Sequence, residues 1–126
     1  MKIAVLIARI LLGLVFVVFG LNGFLNFIKG PLPSGLAGQF LGALMQSHFV
    51  LVVSAVELVG GALLLANRYV PLGLVLLGPV IVNIFFYHLL MDRSGLIIAI
   101  VVIILWALIA LRHRQYFSGL FVQRAS

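Results

Sequence analysis

The sequence has no cysteine among its 126 residues. This absence excludes disulfide bonds, thiol–disulfide chemistry, iron–sulfur clusters and cysteine-ligated zinc. Acidic side chains are almost absent as well, since Asp and Glu together number two. Two acidic residues leave few candidates for catalysis by a pair of carboxylates. The chain also carries no motif of a nucleotide-binding loop, a zinc protease or a serine hydrolase. We expect no metal site and a protein that is not catalytic on its own.

Charged residues are scarce in general, at 8% of the chain, whereas hydrophobic residues make up 65% and the mean hydropathy is +1.37. A soluble domain of this length exposes much of its surface and needs charged side chains to cover it. A soluble fold is therefore excluded, and long apolar stretches of this kind are typical of membrane spans. The length supports one compact unit, so we expect a single transmembrane domain over 1–126.

Four apolar segments approach or exceed the roughly 20 residues that a helix needs to cross the hydrocarbon core of a membrane. They lie at about 3–28, 49–66, 71–91 and 95–111, and a short basic tail follows at 112–126. The predicted fold is therefore all-α, a polytopic membrane protein built as a bundle of four transmembrane helices.

The connection between the first two spans is the longest. It opens with several Gly and Pro residues, which interrupt a continuous helix. Apolar residues then recur at helical spacing, at Leu36, Phe40, Leu44 and Met45. This pattern predicts a short amphipathic helix that lies on the outer surface of the membrane. A plain connecting loop is the alternative.

Basic residues stand singly at the ends of the apolar segments and form no Lys/Arg stripe, so the net charge of +6 does not indicate a nucleic-acid partner. In membrane proteins, Lys and Arg beside the spans are enriched on the cytoplasmic side. Lys29 and Arg93 lie on one side of the predicted bundle. The other side holds the remaining six basic residues, which are Lys2, Arg9, Arg68, Arg112, Arg114 and Arg124. We therefore expect both termini in the cytoplasm and a lipid bilayer around the bundle.

Two charged residues lie inside the predicted spans, Arg9 in the first and Glu57 in the second. Charges at this depth are costly and usually mark function or pairing. Each stands on a helical stripe of small residues, and such stripes allow close helix contact. The stripes are Arg9, Gly13, Phe16, Gly20 and Gly23 in the first span and Ser54, Glu57 and Gly61 in the second. We predict a buried Arg9–Glu57 pair. Two alternatives stay open: the pair only sets helix register, or Arg9 reaches the interface while Glu57 is protonated.

A second group of polar residues lies toward the outer half of the bundle. It comprises Asn22 on the first helix and Asn83, Tyr87 and His88 on the third. Pro79 removes a backbone hydrogen bond just before this group and is expected to kink the third helix. Asp92, four residues after His88, is placed to orient its imidazole. We predict a polar pocket formed by these side chains, with interhelical hydrogen bonds between them as the alternative.

Several short stretches, taken in order, resemble the DoxX-like family of membrane proteins. They are ARILLGL at 8–14, FGLN at 19–22, VELVGG at 56–61, PVIVNI at 79–84 and RHR at 112–114. The resemblance extends over nearly the whole chain. It implies a four-helix bundle in the bacterial inner membrane, with Arg9, Glu57 and Asn83 as family-typical positions. Relatives are linked to quinone-dependent thiosulfate oxidation or to oxidoreductase complexes in oxidative stress, and distant ones look like assembly chaperones.

Three functions are weighed against each other. In the first, the protein is an accessory subunit of a quinone-linked membrane redox complex, with a quinone between helices against Phe16, Phe85 and Phe86 and electrons supplied by a partner. In the second, it is a non-catalytic assembly or scaffold module that packs against another membrane protein or a second copy of itself. The third, a proton-coupled carrier that uses Glu57, lacks the inverted repeats typical of transporters. We take the accessory redox role as the working hypothesis.

Overall fold

The structure, a computed structural model, describes residues 2–26 and 32–123. Five α-helices are found in this part of the chain: α1 (Lys2–Leu25), α2 (Gly35–Gln46), α3 (Phe49–Ala66), α4 (Val70–Leu90) and α5 (Leu96–Arg112). Short 3-10 turns occur at Arg93–Gly95, Arg114–Tyr116 and Ser118–Phe121. The described residues form no β-strand.

Four of the described helical segments are long and apolar enough to cross a membrane, namely Lys2–Leu25, Phe49–Ala66, Val70–Leu90 and Arg93–Arg112. This confirms the predicted all-α membrane fold with four spans. The first helix is shorter than expected, because Asn26 adopts a left-handed backbone conformation with φ 53° after Leu25. Residues 27 and 28, which the prediction included in this span, lie outside the described residues, as does Lys29.

The connection between α1 and α3 contains a helix, so the helical alternative for this segment is correct. Helix α2 covers Gly35–Gln46 and begins after Ser34, which has an extended backbone. Ala37 is buried, and the ring of Phe40 contacts the ring of Tyr87 on α4 with centroids 5.7 Å apart. Helix α2 therefore packs on the bundle through one face instead of running free of it.

The four spanning helices form a closed ring of neighbours. Helix α1 packs against α3 and α5, and α4 packs against the same two helices from the other side. The core between them consists of large apolar side chains, among which Leu12, Phe16, Leu64, Leu74, Leu77 and Ile109 are almost fully buried. We call the two ends of the bundle the termini end and the α2 end. The termini end carries Lys2, the α3–α4 loop and Arg112. The α2 end carries α2 and the α4–α5 turn.

The contact between α1 and α3 is close enough to require glycine. A Cβ added to Gly61 would lie 2.9 Å from the carbonyl oxygen of Gly13, and one added to Gly20 would lie 2.8 Å from the backbone nitrogen of Leu58. Gly23 faces the side chain of Ser54. The glycines and Ser54 of the small-residue stripes predicted from the sequence thus form the α1–α3 contact.

Candidate functional site

A cavity of about 550 Å³ lies between α2, α3 and α4. It extends from the middle of α3 to the α2 end of the bundle, since its lining includes both Glu57 and residues near the end of α4. Eleven residues line it: Phe40, Leu41, Leu44, Phe49, Val53, Glu57, Val80, Asn83, Ile84, Tyr87 and His88. Volumes of roughly 300–1,000 Å³ with a mainly apolar lining are typical of sites for small organic ligands.

The polar part of this lining consists of Glu57 on α3 and Asn83, Tyr87 and His88 on α4. The three α4 residues are those that the sequence placed in a pocket. Asn22 does not line the cavity. Its helix, α1, packs mainly against α3 and α5, whereas the cavity lies between α2, α3 and α4. Glu57, which the sequence assigned to a charge pair, takes its place.

Glu57 lies near the middle of the membrane span. It is the ninth residue of α3, which begins at Phe49, so it is about 12 Å along the helix at 1.5 Å per residue. The side chain is partly buried. Within 2–26 and 32–123, its carboxyl group has no hydrogen-bond or ion-pair partner. A carboxyl group at mid-membrane depth is therefore presented to the cavity with its hydrogen-bonding capacity unused.

The predicted ion pair between Arg9 and Glu57 is not formed in this structure. The guanidinium of Arg9 instead donates hydrogen bonds to the backbone carbonyls of Leu64 and Leu65, the latter at 3.3 Å. These carbonyls belong to the last turn of α3, where helix carbonyls lack i+4 backbone partners; that of Leu64 also accepts from the backbone nitrogen of Asn67 at 3.2 Å. Leu64 is seven residues beyond Glu57, which corresponds to about 10 Å along the helix. Arg9 therefore caps the end of α3 and does not reach the carboxyl group.

Asn83 is held by a hydrogen bond within its own helix. Its Nδ2 donates to the carbonyl oxygen of Pro79 at 2.8 Å. Because a carbonyl oxygen only accepts hydrogen bonds, this contact identifies the amide nitrogen and so fixes which atom is Oδ1. Oδ1 has no partner among the described residues. Pro79 is thus tied to the orientation of a cavity-lining amide.

His88 is held in the same manner. Its Nδ1 lies 2.9 Å from the carbonyl oxygen of Ile84. Since this oxygen only accepts, Nδ1 carries the hydrogen. The Nε2 edge of the ring lies against Gly95, where an added Cβ would collide with it. The ring is therefore wedged between α4 and the start of α5, at the α2 end of the cavity.

Asp92 does not orient His88 through a hydrogen bond, contrary to the prediction. Its Oδ1 accepts hydrogen bonds from the hydroxyl of Ser94 at 2.6 Å and from the backbone nitrogen of Ser94 at 3.2 Å. These two bonds, together with the nearby imidazole of His88, lower the pKa of the Asp92 carboxyl below its ordinary value. Asp92 therefore caps the 3-10 turn Arg93–Gly95 between α4 and α5.

The aromatic residues of the cavity differ from those expected from the sequence. Phe40 and Phe49 line the cavity together with Tyr87. Phe16 is instead a core residue that is 1% exposed. Phe85 and Phe86 line a separate apolar groove of about 350 Å³ between α4 and α5, beside Trp106. The apolar stripe of α2 was the available sequence signal for Phe40. Which surface of the bundle this stripe contacts depends on where α2 docks, and the sequence does not show that.

Comparison with protein families identifies the chain. The family model described as DoxX matches residues 4–89. The protein belongs to the DoxX family. The match includes α2, α3 and nearly all of α1 and α4, so the described cavity lining lies within the DoxX-like part of the chain, whereas α5 and the RHR stretch lie outside it. No curated protein and no solved structure matched this chain.

The DoxX family protein is thus a multi-pass membrane protein surrounded by lipid. Arg9, Glu57 and Asn83, the positions that the resemblance implied to be family-typical, fall within the matched residues. They do not form one site. Glu57 and Asn83 line the cavity, and Arg9 lies beyond it at the termini end.

Proposed function

We propose that this DoxX family protein binds a quinone-type ligand in the cavity between α2, α3 and α4, as an accessory subunit of a membrane redox complex. The observation that carries the proposal is a mainly apolar cavity within the membrane span, whose described lining residues include one acidic side chain, Glu57. A ligand that stays in the bilayer and has a polar ring head matches this combination of apolar walls and few polar groups.

The walls suit an aromatic ring. Phe40 and Tyr87 are already in ring contact from α2 and α4, and Phe49 adds a third aromatic side chain from α3. Aromatic groups favour offset-stacked or edge-to-face contacts with one another. Oxygen substituents on the ligand ring would find Glu57, Asn83 and Tyr87 as hydrogen-bonding groups.

The redox role requires a partner. The chain has no cysteine that could hold an iron–sulfur cluster or act as a dithiol. Electrons would therefore pass between the bound ligand and a redox centre in another subunit, while this protein supplies the binding site and its polar groups. The assembly alternative is less favoured, because the small-residue stripes that suggested lateral packing are used inside the chain, between α1 and α3.

Thermal unfolding in detergent tests the binding site directly. A decyl-substituted benzoquinone should raise the free energy of unfolding, by about 2.7 kcal/mol at a ligand concentration of 100 Kd. Leu44→Trp, which fills the cavity from α2, should abolish this stabilisation while the protein still folds. Val59→Leu is the matched control, because Val59 is 51% exposed on α3 and does not line the cavity. No stabilisation of the unaltered protein by this benzoquinone or by its reduced form would overturn the proposal.

We further propose that the bundle lies in the bacterial inner membrane with both termini in the cytoplasm. Of the described basic residues, Lys2, Arg9, Arg68, Arg112 and Arg114 belong to the termini end, whereas Arg93 lies at the α2 end. This asymmetry is typical of cytoplasmic termini. Reporter fusions at the C-terminus should show activity of a cytoplasmic reporter and none of a periplasmic one; the reverse pattern would contradict this orientation.

A further inference from the structure

We propose that the cavity selects the reduced, hydroxyl-bearing form of its ligand, a hydroquinone, over the oxidised quinone. This inference rests on the proposed function, because it concerns the ligand of the same site. The two forms have nearly the same size and shape. They differ in hydrogen bonding, since a hydroquinone donates through two O–H groups whereas a quinone has only accepting carbonyl oxygens.

The main polar group in the cavity is an acceptor. The carboxyl group of Glu57 has no partner among the described residues. It presents an accepting oxygen in both protonation states: as a carboxylate it accepts only, and as an acid it keeps an accepting oxygen beside its one O–H donor. A hydroxyl donor on the ligand would satisfy this group. A quinone carbonyl placed against an accepting oxygen of Glu57 would leave two acceptors facing each other in an apolar cavity, which is costly.

Asn83 adds a second acceptor. One hydrogen of its Nδ2 is engaged by the carbonyl oxygen of Pro79 at 2.8 Å. This bond leaves Oδ1 and the second hydrogen of Nδ2 for a ligand. Asn83 can therefore accept from a hydroxyl, and its capacity to donate is half used by its own helix.

Strong donors are lacking in the same lining. No Lys or Arg is among the described residues that line the cavity. Arg9 is bound to the carbonyls of Leu64 and Leu65, and the Nε of Arg93 donates to the carbonyl of Leu89 at 3.2 Å. The Nδ1 hydrogen of His88 points to Ile84 and its Nε2 edge lies against Gly95. The donors that remain among the described lining residues are the hydroxyl of Tyr87, one N–H of Asn83 and, in its protonated form, the carboxyl group of Glu57. Accepting oxygens of Glu57 and Asn83 are still left over, so the described lining suits a donating ligand.

Three ligands that share one ring and one alkyl tail separate these effects. They are a decyl hydroquinone, the corresponding quinone, and the dimethyl ether of the hydroquinone, which has no O–H group. Binding is measured without oxygen on the purified full chain, by titration calorimetry and thermal shift. We expect the hydroquinone to bind about tenfold more tightly than either of the other two, since leaving a buried acceptor without a hydrogen bond costs a factor of this order.

Glu57→Gln is the matching variant, because it keeps the size of the side chain and adds an N–H donor. We expect the preference for the hydroquinone to shrink severalfold and quinone binding to improve. Val59→Leu, on the lipid-facing side of the same helix, should keep the preference of the unaltered protein. Should Glu57→Gln fail to fold, the comparison of hydroquinone with its ether in the unaltered protein still decides the question.

The outcomes separate the two proposals. If none of the three ligands binds, the proposed function fails together with this inference. If the quinone or the ether binds as tightly as the hydroquinone, the selectivity is refuted while the cavity stands as a quinone-type site. A preference that persists unchanged in Glu57→Gln would also overturn the assignment of selectivity to Glu57.

Discussion

The guanidinium of Arg9 donates hydrogen bonds to the backbone carbonyl of Leu64 and, at 3.3 Å, to that of Leu65. The two helices that this contact joins, α1 and α3, are the ones whose glycines make the closest backbone approach in the described bundle. A cation on the last turn of α3 also complements the partial negative charge at a helix C-terminus. Arg9 is therefore assigned a structural role, and the carboxyl group of Glu57 is left to the cavity.

Arg9→Met should destabilise the protein. It removes a charge-assisted bond to carbonyls inside the membrane, which is worth about 1.5–3 kcal/mol. Glu57→Gln should change the free energy of unfolding by less than about 0.5 kcal/mol, because no ion pair is lost. The measurement is unfolding in a fixed detergent. Equal destabilisation by both variants would instead indicate an Arg9–Glu57 pair.

Gly20→Ala should loosen the α1–α3 contact. The new Cβ would lie 2.8 Å from the Leu58 nitrogen and 2.9 Å from the Ser54 carbonyl oxygen. Overpacking of this kind costs about 1–3 kcal/mol. Gly42→Ala on α2 is the control, since nothing lies within 4 Å of its added Cβ. Helix propensity predicts that Gly42→Ala is neutral or stabilising, by up to about 1 kcal/mol. Equal thermal unfolding of both variants would argue against close packing at Gly20.

Trp106→Phe should weaken the α4–α5 contact. The indole Nε1 donates to the carbonyl of Leu74 at 2.9 Å, and a phenylalanine ring has no donor. We expect a loss of about 0.5–1.5 kcal/mol in the free energy of unfolding. Ile104→Val, at a residue 53% exposed on α5, serves as the control. Because Trp106 is the sole tryptophan, its fluorescence in the unaltered protein also reports when these two helices separate. Unchanged stability of Trp106→Phe would show that the bond contributes nothing measurable.

Asp92 gives the α4–α5 turn a dependence on pH. The hydrogen bonds from Ser94 favour the ionised carboxyl and so lower its pKa below the ordinary value of 3.8. A carboxyl whose pKa is lowered on folding stabilises the folded state above the ordinary pKa, and this contribution is lost as the pH falls through the folded value. The stability difference between the unaltered protein and Asp92→Asn should therefore be constant near neutral pH and shrink below pH 3.8. A difference that does not vary with pH would contradict this role.

Much of the fold could be predicted from local sequence. The four spans follow from runs of apolar residues that are long enough to cross a membrane, and the α2 helix follows from apolar residues at helical spacing. The glycines of α1 and α3 were predicted to form a helix contact, and the structure places Gly13 against Gly61. Such features depend on the properties of one segment at a time.

The candidate site was only half predictable for the same reason. Asn83, Tyr87 and His88 lie on one helix, and their spacing alone places them together near its end. Asn22 shares the outer half of the bundle with them, but depth in the membrane does not say which helices are neighbours. Helix α1 packs against α3 and α5, so Asn22 does not line the cavity that Glu57 enters.

The sequence by itself thus determined the class of protein, the number of spans and the residues that each span could contribute. The tertiary structure decided which helices adjoin, how each is rotated about its axis, and therefore that Glu57 faces a cavity while Arg9 caps α3. The physical reason is that hydrophobicity and length act within a segment and set its insertion into the bilayer. Rotation and pairing depend instead on contacts between segments far apart in the chain, such as the approach of Gly20 to Ser54 and Leu58.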